Sequence, residues 1–192
     1  MKEQVEELLT KNEVLLKGHF LLTSGLHSEF YFEKFKVLEK PRITSLLCSK
    51  IALQFSACTI DRVIGPTTGG IILAYEVARQ LGTLMGMAEE DGKGGRIIRR
   101  GTDIKEREEI LIVDDVLTTG GSLKATIDAV LRKKGSIAGI AVLIDRREKT
   151  LDIDYPIYGV YRKLVKNFSE SDCPLCRKGI SLTQKGKIKE VK

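Results

Sequence analysis

The sequence predicts an α/β fold: a central, mainly parallel, doubly wound sheet flanked by helices. Three observations carry this. The runs Glu109-Ile-Leu-Ile-Val-Asp114 and Ile137 to Ile144 are continuously apolar, as strands buried on both faces are. Strand and helix patterns alternate through the middle of the chain, which is the pattern of a parallel sheet with crossover helices. Two glycine-rich loops, Gly65 to Ile71 and Thr118 to Ser122, each join such a strand to a helix.

The elements follow in order. Residues 1–13 form a helix with Val5, Leu8 and Leu9 on one stripe. His19 to Leu38 is rich in aromatics and broken by Ser24-Gly25, which predicts two short strands around a turn. Pro41 opens a helix running through Ile43 to Phe55. Asp61 to Gly65 is a strand, followed by a loop and a helix to about Gly82. Thr83 to Ala88 is the next strand, Glu89 to Gly95 a mobile loop, and Arg96 to Arg100 the return strand of a hairpin. After the strand ending at Asp114, a helix runs from Ser122 to Lys134 and stops at Gly135. Tyr155 to Tyr161 adds a further strand, and the last 15 or so residues, Lys-rich, are frayed.

A chain of 192 residues buries a sizeable core without staples. The balance of 32 basic and 26 acidic residues leaves +6, which favours anionic partners. The longest apolar run, about eight residues around Ile137 to Ile144, falls well below the ~18 that a membrane span needs. The amphipathic, acidic start MKEQVEELLTKNE is not a secretory signal. Four cysteines in a chain of this length argue against a disulfide framework and for a reducing, cytoplasmic compartment. No membrane or nucleic-acid partner is expected, since the charge is spread and no helix-turn-helix pattern is present.

The densest signal is Ile110-Leu-Ile-Val-Asp-Asp-Val-Leu-Thr-Thr-Gly-Gly-Ser122. Ligands of open α/β sheets sit at the carboxyl ends of strands. Asp114 and Asp115 end this one, and adjacent carboxylates are costly unless something engages them. Sugar hydroxyls do so by donating hydrogen bonds. Thr118, Thr119, Gly120, Gly121 and Ser122 lead into a helix whose amides and dipole suit a phosphate. A diol-binding pair beside a phosphate cup is the footprint of ribose 5-phosphate. Gly65-Pro-Thr-Thr-Gly-Gly-Ile71 offers a second anion site at a helix start.

VDDVLTTGGS resembles the binding motif for phosphoribosyl pyrophosphate (PRPP) in type I phosphoribosyltransferases. The resemblance extends over about Leu15 to Glu148. It implies the type I phosphoribosyltransferase fold and a single domain over residues 1–192. A small hood of about residues 1–40 is expected, with a C-terminal extension of about 150–192 packing nearby. By the same resemblance, Asp114, Asp115, Val116, Leu117 and the Thr118–Ser122 turn bind PRPP, and Thr68 and Gly69 belong to the pyrophosphate loop. Mg2+ is implied as cofactor, held by substrate and water without dedicated protein ligands.

His19-Phe-Leu-Leu-Thr-Ser-Gly-Leu-His-Ser-Glu-Phe-Tyr-Phe32 resembles the base-covering segment of orotate phosphoribosyltransferases, which puts Tyr31 and Phe32 against the base. Arg146, after Asp145, matches the family's orotate-binding arginine, and Thr118 a residue that also touches orotate. An arginine fork suits the carboxylate that orotate carries and other bases lack. Arg147 reads as a solvated neighbour. Thr23 and Gly69 stand where many members have lysine. Lys93, Arg99 and Arg100 are the candidates for the positive charge that serves the leaving group, with Arg96 nearby. The family's loop reaches a neighbouring subunit, which implies a homodimer. The subset with an acidic Gly-rich loop and a C-terminal Cys-Pro-x-Cys is the one this chain resembles.

Cys173-Pro-Leu-Cys176 has the spacing of a metal knuckle, but four ligands need a second pair. Three readings stay open: a zinc site shared across a dimer, a redox pair, or a tight turn docking the tail. The two histidines form no metal-ligand motif. Two rival functions also stay open: transfer to another base, and a non-catalytic, PRPP-sensing regulator that binds nucleic acid.

Overall fold

The structure is a computed structural model that describes residues 2–22, 24–99 and 101–185. It holds two sheets. The main one has six strands in the order β5-β4-β3-β6-β7-β8, built from Arg96–Ile98 (β5), Leu84–Glu90 (β4), Arg62–Pro66 (β3), Glu109–Leu117 (β6), Ser136–Asp145 (β7) and Ile157–Arg162 (β8). Every neighbouring pair is parallel except the β4–β5 hairpin.

The continuous apolar runs are explained by where alternate residues go. Leu111 and Val113 of β6, with Ala141 and Leu143 of β7, enter one core cluster; Ile110 and Ile112, with Ile140 and Val142, enter the other. Strand side chains alternate between faces, so a strand covered on both sides must be apolar at every position. Pro41–Gln54 (α3) and Gly69–Leu81 (α4) cover the first face, and Gly121–Arg132 (α5) covers the second. Pro41 occupies the first turn of α3, where its missing N–H costs nothing. Gly82 ends α4 in the left-handed conformation at φ 70°.

The second sheet has the order β10-β1-β2-β9. Leu15–Leu21 (β1) and His27–Phe32 (β2) form an antiparallel hairpin, flanked by Thr183–Gln184 (β10) and Asn167–Phe168 (β9). The chain's two ends thus build one small sheet over the carboxyl edge of the large one. The helix Lys2–Lys11 (α1) packs Val5 and Leu9 into the first core cluster.

Several expectations need correction. The second strand ends at Phe32, and Phe35–Leu38 is a short helix (α2) whose Val37 and Leu38 turn into the core. Glu89 and Glu90 belong to β4, pairing with Ile97 and Arg96, so the loop shrinks to residues 91–95. That turn is held by Asp91, whose Oδ1 accepts the Lys93 and Gly95 amides at 2.7 and 2.9 Å. The return strand stops at Ile98. Residues 157–162 join the main sheet as its edge strand, and Tyr161 on it also meets the hood at Phe32. Within the tail, Thr183 and Gln184 pair with β1; residues 186–192, Thr23 and Arg100 lie outside the described residues. No helix among the described residues is long and apolar enough to cross a membrane.

Candidate active site

The site is built on the carboxyl ends of β6 and β7. Their register pairs Val116 with Ile144 and Leu117 with Asp145. The Arg146 amide then donates to the Leu117 carbonyl at 3.0 Å, which sets Arg146 beside Thr118. Asp114 and Asp115 fall on opposite faces of β6. The Asp114 Oδ1 accepts the Asp115 amide at 2.8 Å, and its Oδ2 accepts the Ser122 hydroxyl at 3.3 Å. Burial and the neighbouring Asp115 charge push the Asp114 carboxyl up to about 6.

Asp115 is buried and meets a lysine that sequence reasoning missed. Lys34 Nζ, from the segment before α2, lies 2.8 Å from Asp115 Oδ2. That oxygen receives no hydrogen bond of good geometry, so the contact is chiefly an ion pair. Lys34 follows the aromatic run without any pattern that would mark it. Only the hairpin folding over the sheet brings it to the aspartate.

The turn after β6 forms a small cup of about 50 Å³, lined by Asp114 and the Thr118–Ser122 segment. Gly120 takes φ 80° there, a conformation that favours glycine. No side chain caps the N-terminus of α5. Its first amides therefore need an outside acceptor, and an anion meets that need best.

A larger cleft of about 710 Å³ adjoins the cup and shares Thr118 and Thr119 with it. Tyr31, Arg146 and Asn167 also line it. Among the described residues, Arg146 makes one side-chain hydrogen bond, donating to Asn167 Oδ1 at 3.3 Å. The rest of its five-donor guanidinium is left for a ligand. Its guanidinium carbon stands 5.7 Å from the Phe32 ring centroid. Phe32 itself is buried, tilted against Tyr161 at 6.5 Å. It backs the arginine and does not line the cleft. Burial lowers the Arg146 pKa from its ordinary value, yet a guanidinium remains charged.

Arg147 is not the solvated neighbour that the sequence suggests. Its Nε and Nη2 grip the buried Asp145 carboxylate at 2.9 and 2.7 Å. Arg147, with Arg162 at 3.7 Å, thus neutralises the strand-end aspartate, while Arg146 faces the cleft.

The loop between β3 and α4 sits across from Asp115. A Cβ on Gly69 would meet Asp115 Oδ2, so the backbone approaches as only glycine allows. Thr68 is exposed at the N-cap position, with no side-chain cap of its own. Arg96 holds this loop from β5, donating from Nη1 to Thr67 Oγ1 and to the Ala88 carbonyl, both at 3.0 Å. Lys93 and Arg99 are exposed and are not among the residues that line the two clefts. Arg100 lies outside the described residues.

Comparison with known proteins meets the same segments. The model of the phosphoribosyl transferase domain matches residues 42–172. A protein of Thermoanaerobacter sp. (strain X514) named orotate phosphoribosyltransferase is 43% identical over 188 residues, covering 98% of each chain. The chain belongs to the orotate phosphoribosyltransferase family. A second orotate phosphoribosyltransferase, from Caldanaerobacter subterraneus subsp. tengcongensis, is 40% identical over 98% of both chains. Among solved structures, orotate phosphoribosyltransferase from Aeropyrum pernix superposes with TM-score 0.64 at 24% identity, over 94% of this chain and 91% of that one. Adenine phosphoribosyltransferase from Rhodothermus marinus gives TM-score 0.66, also at 24% identity, over 83% and 99%. These two likenesses show the fold alone, one of those proteins being named for orotate and the other for adenine. The acceptor must therefore be argued from the side chains of the cleft.

Proposed function

We infer that this chain transfers ribose 5-phosphate from PRPP to orotate, giving orotidine 5′-phosphate and pyrophosphate, as in pyrimidine biosynthesis. The observation that carries it is Arg146, a half-buried guanidinium with one side-chain hydrogen bond among the described residues, in a cleft that shares Thr118 and Thr119 with the phosphate cup. A flat, carboxylate-bearing base fits between that fork and Tyr31. Uracil and the purines would leave the fork unmatched.

In the reaction the C1–oxygen bond of PRPP breaks and pyrophosphate leaves with the electron pair. The N1 of orotate attacks the opposite face of C1 and gives up its proton to solvent, so the anomeric centre inverts. Asp114 and Asp115 accept hydrogen bonds from the ribose hydroxyls, and the Thr118–Ser122 turn holds the 5-phosphate. Val116 and Leu117 supply the strand end between them. Thr68 and Gly69 present the helix start of α4 to the pyrophosphate. Arg146 orients the orotate carboxylate, and Phe32 backs it. Mg2+, when bound, neutralises charge on the pyrophosphate. The residues present fit an ion carried mainly by substrate and water, because one of the two carboxylates is already paired with Lys34.

Lys93 and Arg99 sit on or beside an exposed hairpin turn. Their exposure supports a homodimer in which they serve a neighbouring site. The soluble substrates support a cytoplasmic setting. Loss of orotate absorbance on mixing protein, orotate, PRPP and Mg2+ tests the reading. Consumption that requires all three components supports it. Consumption of adenine and not orotate overturns it.

A further inference from the structure

His19, His27, Cys173 and Cys176 come from three separate elements and meet at one point. Their ligand atoms all lie within 4.8 Å of one another, and the two histidines and Cys173 are buried. His19 Nε2 is 3.0 Å from His27 Nδ1, 3.5 Å from Cys173 Sγ and 3.7 Å from Cys176 Sγ. Cys176 Sγ is 3.2 Å from His27 Nδ1. We propose that these four side chains form a structural zinc site that clasps the C-terminal segment to the β1–β2 hairpin.

The distances argue for it. Zinc bonds of about 2.0–2.1 Å to nitrogen and 2.3 Å to sulfur give tetrahedral edges of roughly 3.3–3.8 Å. The four separations above span 3.0–3.7 Å. A small adjustment of side chains would seat the ion.

Proton bookkeeping argues for it as well. His19 Nδ1 lies 2.7 Å from the Ile180 carbonyl, which can only accept. The proton is therefore on Nδ1, and Nε2 turns a bare lone pair into the cluster. Three neighbours converge on that single lone pair. Without a metal, at most one of them can donate to it well, and the others stay poorly satisfied in a buried place. A cation at the centre engages all four lone pairs at once. Two imidazoles and two thiolates are the donor set of zinc, and unsuited to magnesium or calcium.

The arrangement has no position for a reacting ligand. Four protein ligands close the sphere, as in structural sites. The clasp lies where the tail needs it. β9 pairs with β2, β10 pairs with β1, and Asn167 of β9 touches Arg146. The second pair of ligands that the Cys-Pro-Leu-Cys spacing lacks is thus supplied by the hairpin of the same chain. No partner subunit is required. The histidine pair leaves no spacing signal, because the two residues sit on neighbouring strands and not on one turn.

The test is metal content of the full-length protein purified without chelator. Mass spectrometry should find about one zinc per chain, and none in Cys176→Ser or His27→Gln. Cys176→His should keep it, and Cys58→Ser should be indistinguishable from the parent. Cobalt substituted for zinc should give the visible and thiolate charge-transfer absorption of a tetrahedral site. Folded parent protein that holds no zinc after dialysis against the ion overturns the proposal, as does a Cys173–Cys176 disulfide in protein kept under reductant.

Discussion

A β-carbon on Gly69 would lie 1.9 Å from Oδ2 of Asp115. That same oxygen is 2.8 Å from Lys34 Nζ. The start of α4, the end of β6 and the segment before α2 thus close on one atom. Gly69→Ala must displace a buried, ion-paired carboxylate. PRPP affinity should fall about tenfold or more, equal to roughly 1.4 kcal/mol, with a stability loss of about 1–3 kcal/mol. Calorimetric titration with PRPP and thermal melting check both. Unchanged affinity would mean that the loop and the aspartate are independent.

Asp114 predicts a pH effect. Its folded pKa, about 6, lies above its ordinary value of 3.8. A raised value means that the folded state favours the protonated form. The stabilisation is therefore complete below about pH 4 and is lost as pH rises through 6. By linkage it amounts to about 3 kcal/mol at most. Asp114→Asn should be more stable than the parent at pH 7.5, with the gain vanishing near pH 4, yet bind PRPP poorly. Urea unfolding without ligand at the two pH values measures it. A difference that does not change with pH would contradict the assignment.

Arg146→Lys keeps the charge and removes the fork. A compact ammonium cannot grip two carboxylate oxygens in parallel. The kcat/KM for orotate should drop by about 100-fold, or roughly 3 kcal/mol. PRPP binding should change little, because the cup is built by β6 and α5. Steady-state kinetics and PRPP titration on the same preparation separate the two effects.

At the opposite, amino-terminal edge of the sheet, Arg62 Nε donates to Glu108 Oε1 at 2.6 Å, and both are buried. Glu108→Ala leaves the guanidinium without its counter-charge. The cost should be about 3–5 kcal/mol. Activity per folded molecule should be unchanged, since the pair is at the far end of β3 and β6 from the clefts. Denaturant unfolding and a rate measured well below melting test both parts.

Much of the architecture was legible because it is local. The β6 run shows its burial on both faces, Pro41 and Gly82 mark helix ends, and the VDDVLTTGGS segment carries its own turn chemistry. Short pieces were not legible. The α2 and α6 helices (Phe35–Leu38 and Pro174–Arg177) and the two-residue strands β9 and β10 are too brief for any periodicity to register. Arg147 was misread for a related reason: its partner Asp145 is two positions away, but only the burial of that strand end makes the pairing obligatory.

The sequence by itself determined which of the longer segments are strands and helices, where the phosphate turn lies, and that a pair of arginines follows the neighbouring strand. Those properties depend on side-chain period and backbone freedom within a dozen residues. The tertiary structure decided which of these segments face each other. The order β3-β6-β7 sets Gly69 against Asp115 and Arg146 beside Thr118. The hairpin folded over the sheet brings Lys34 to the aspartate. The two ends of the chain, more than 140 residues apart, join His19 and His27 to Cys173 and Cys176. Such contacts arise from sheet order and chain closure, which no short-range pattern encodes.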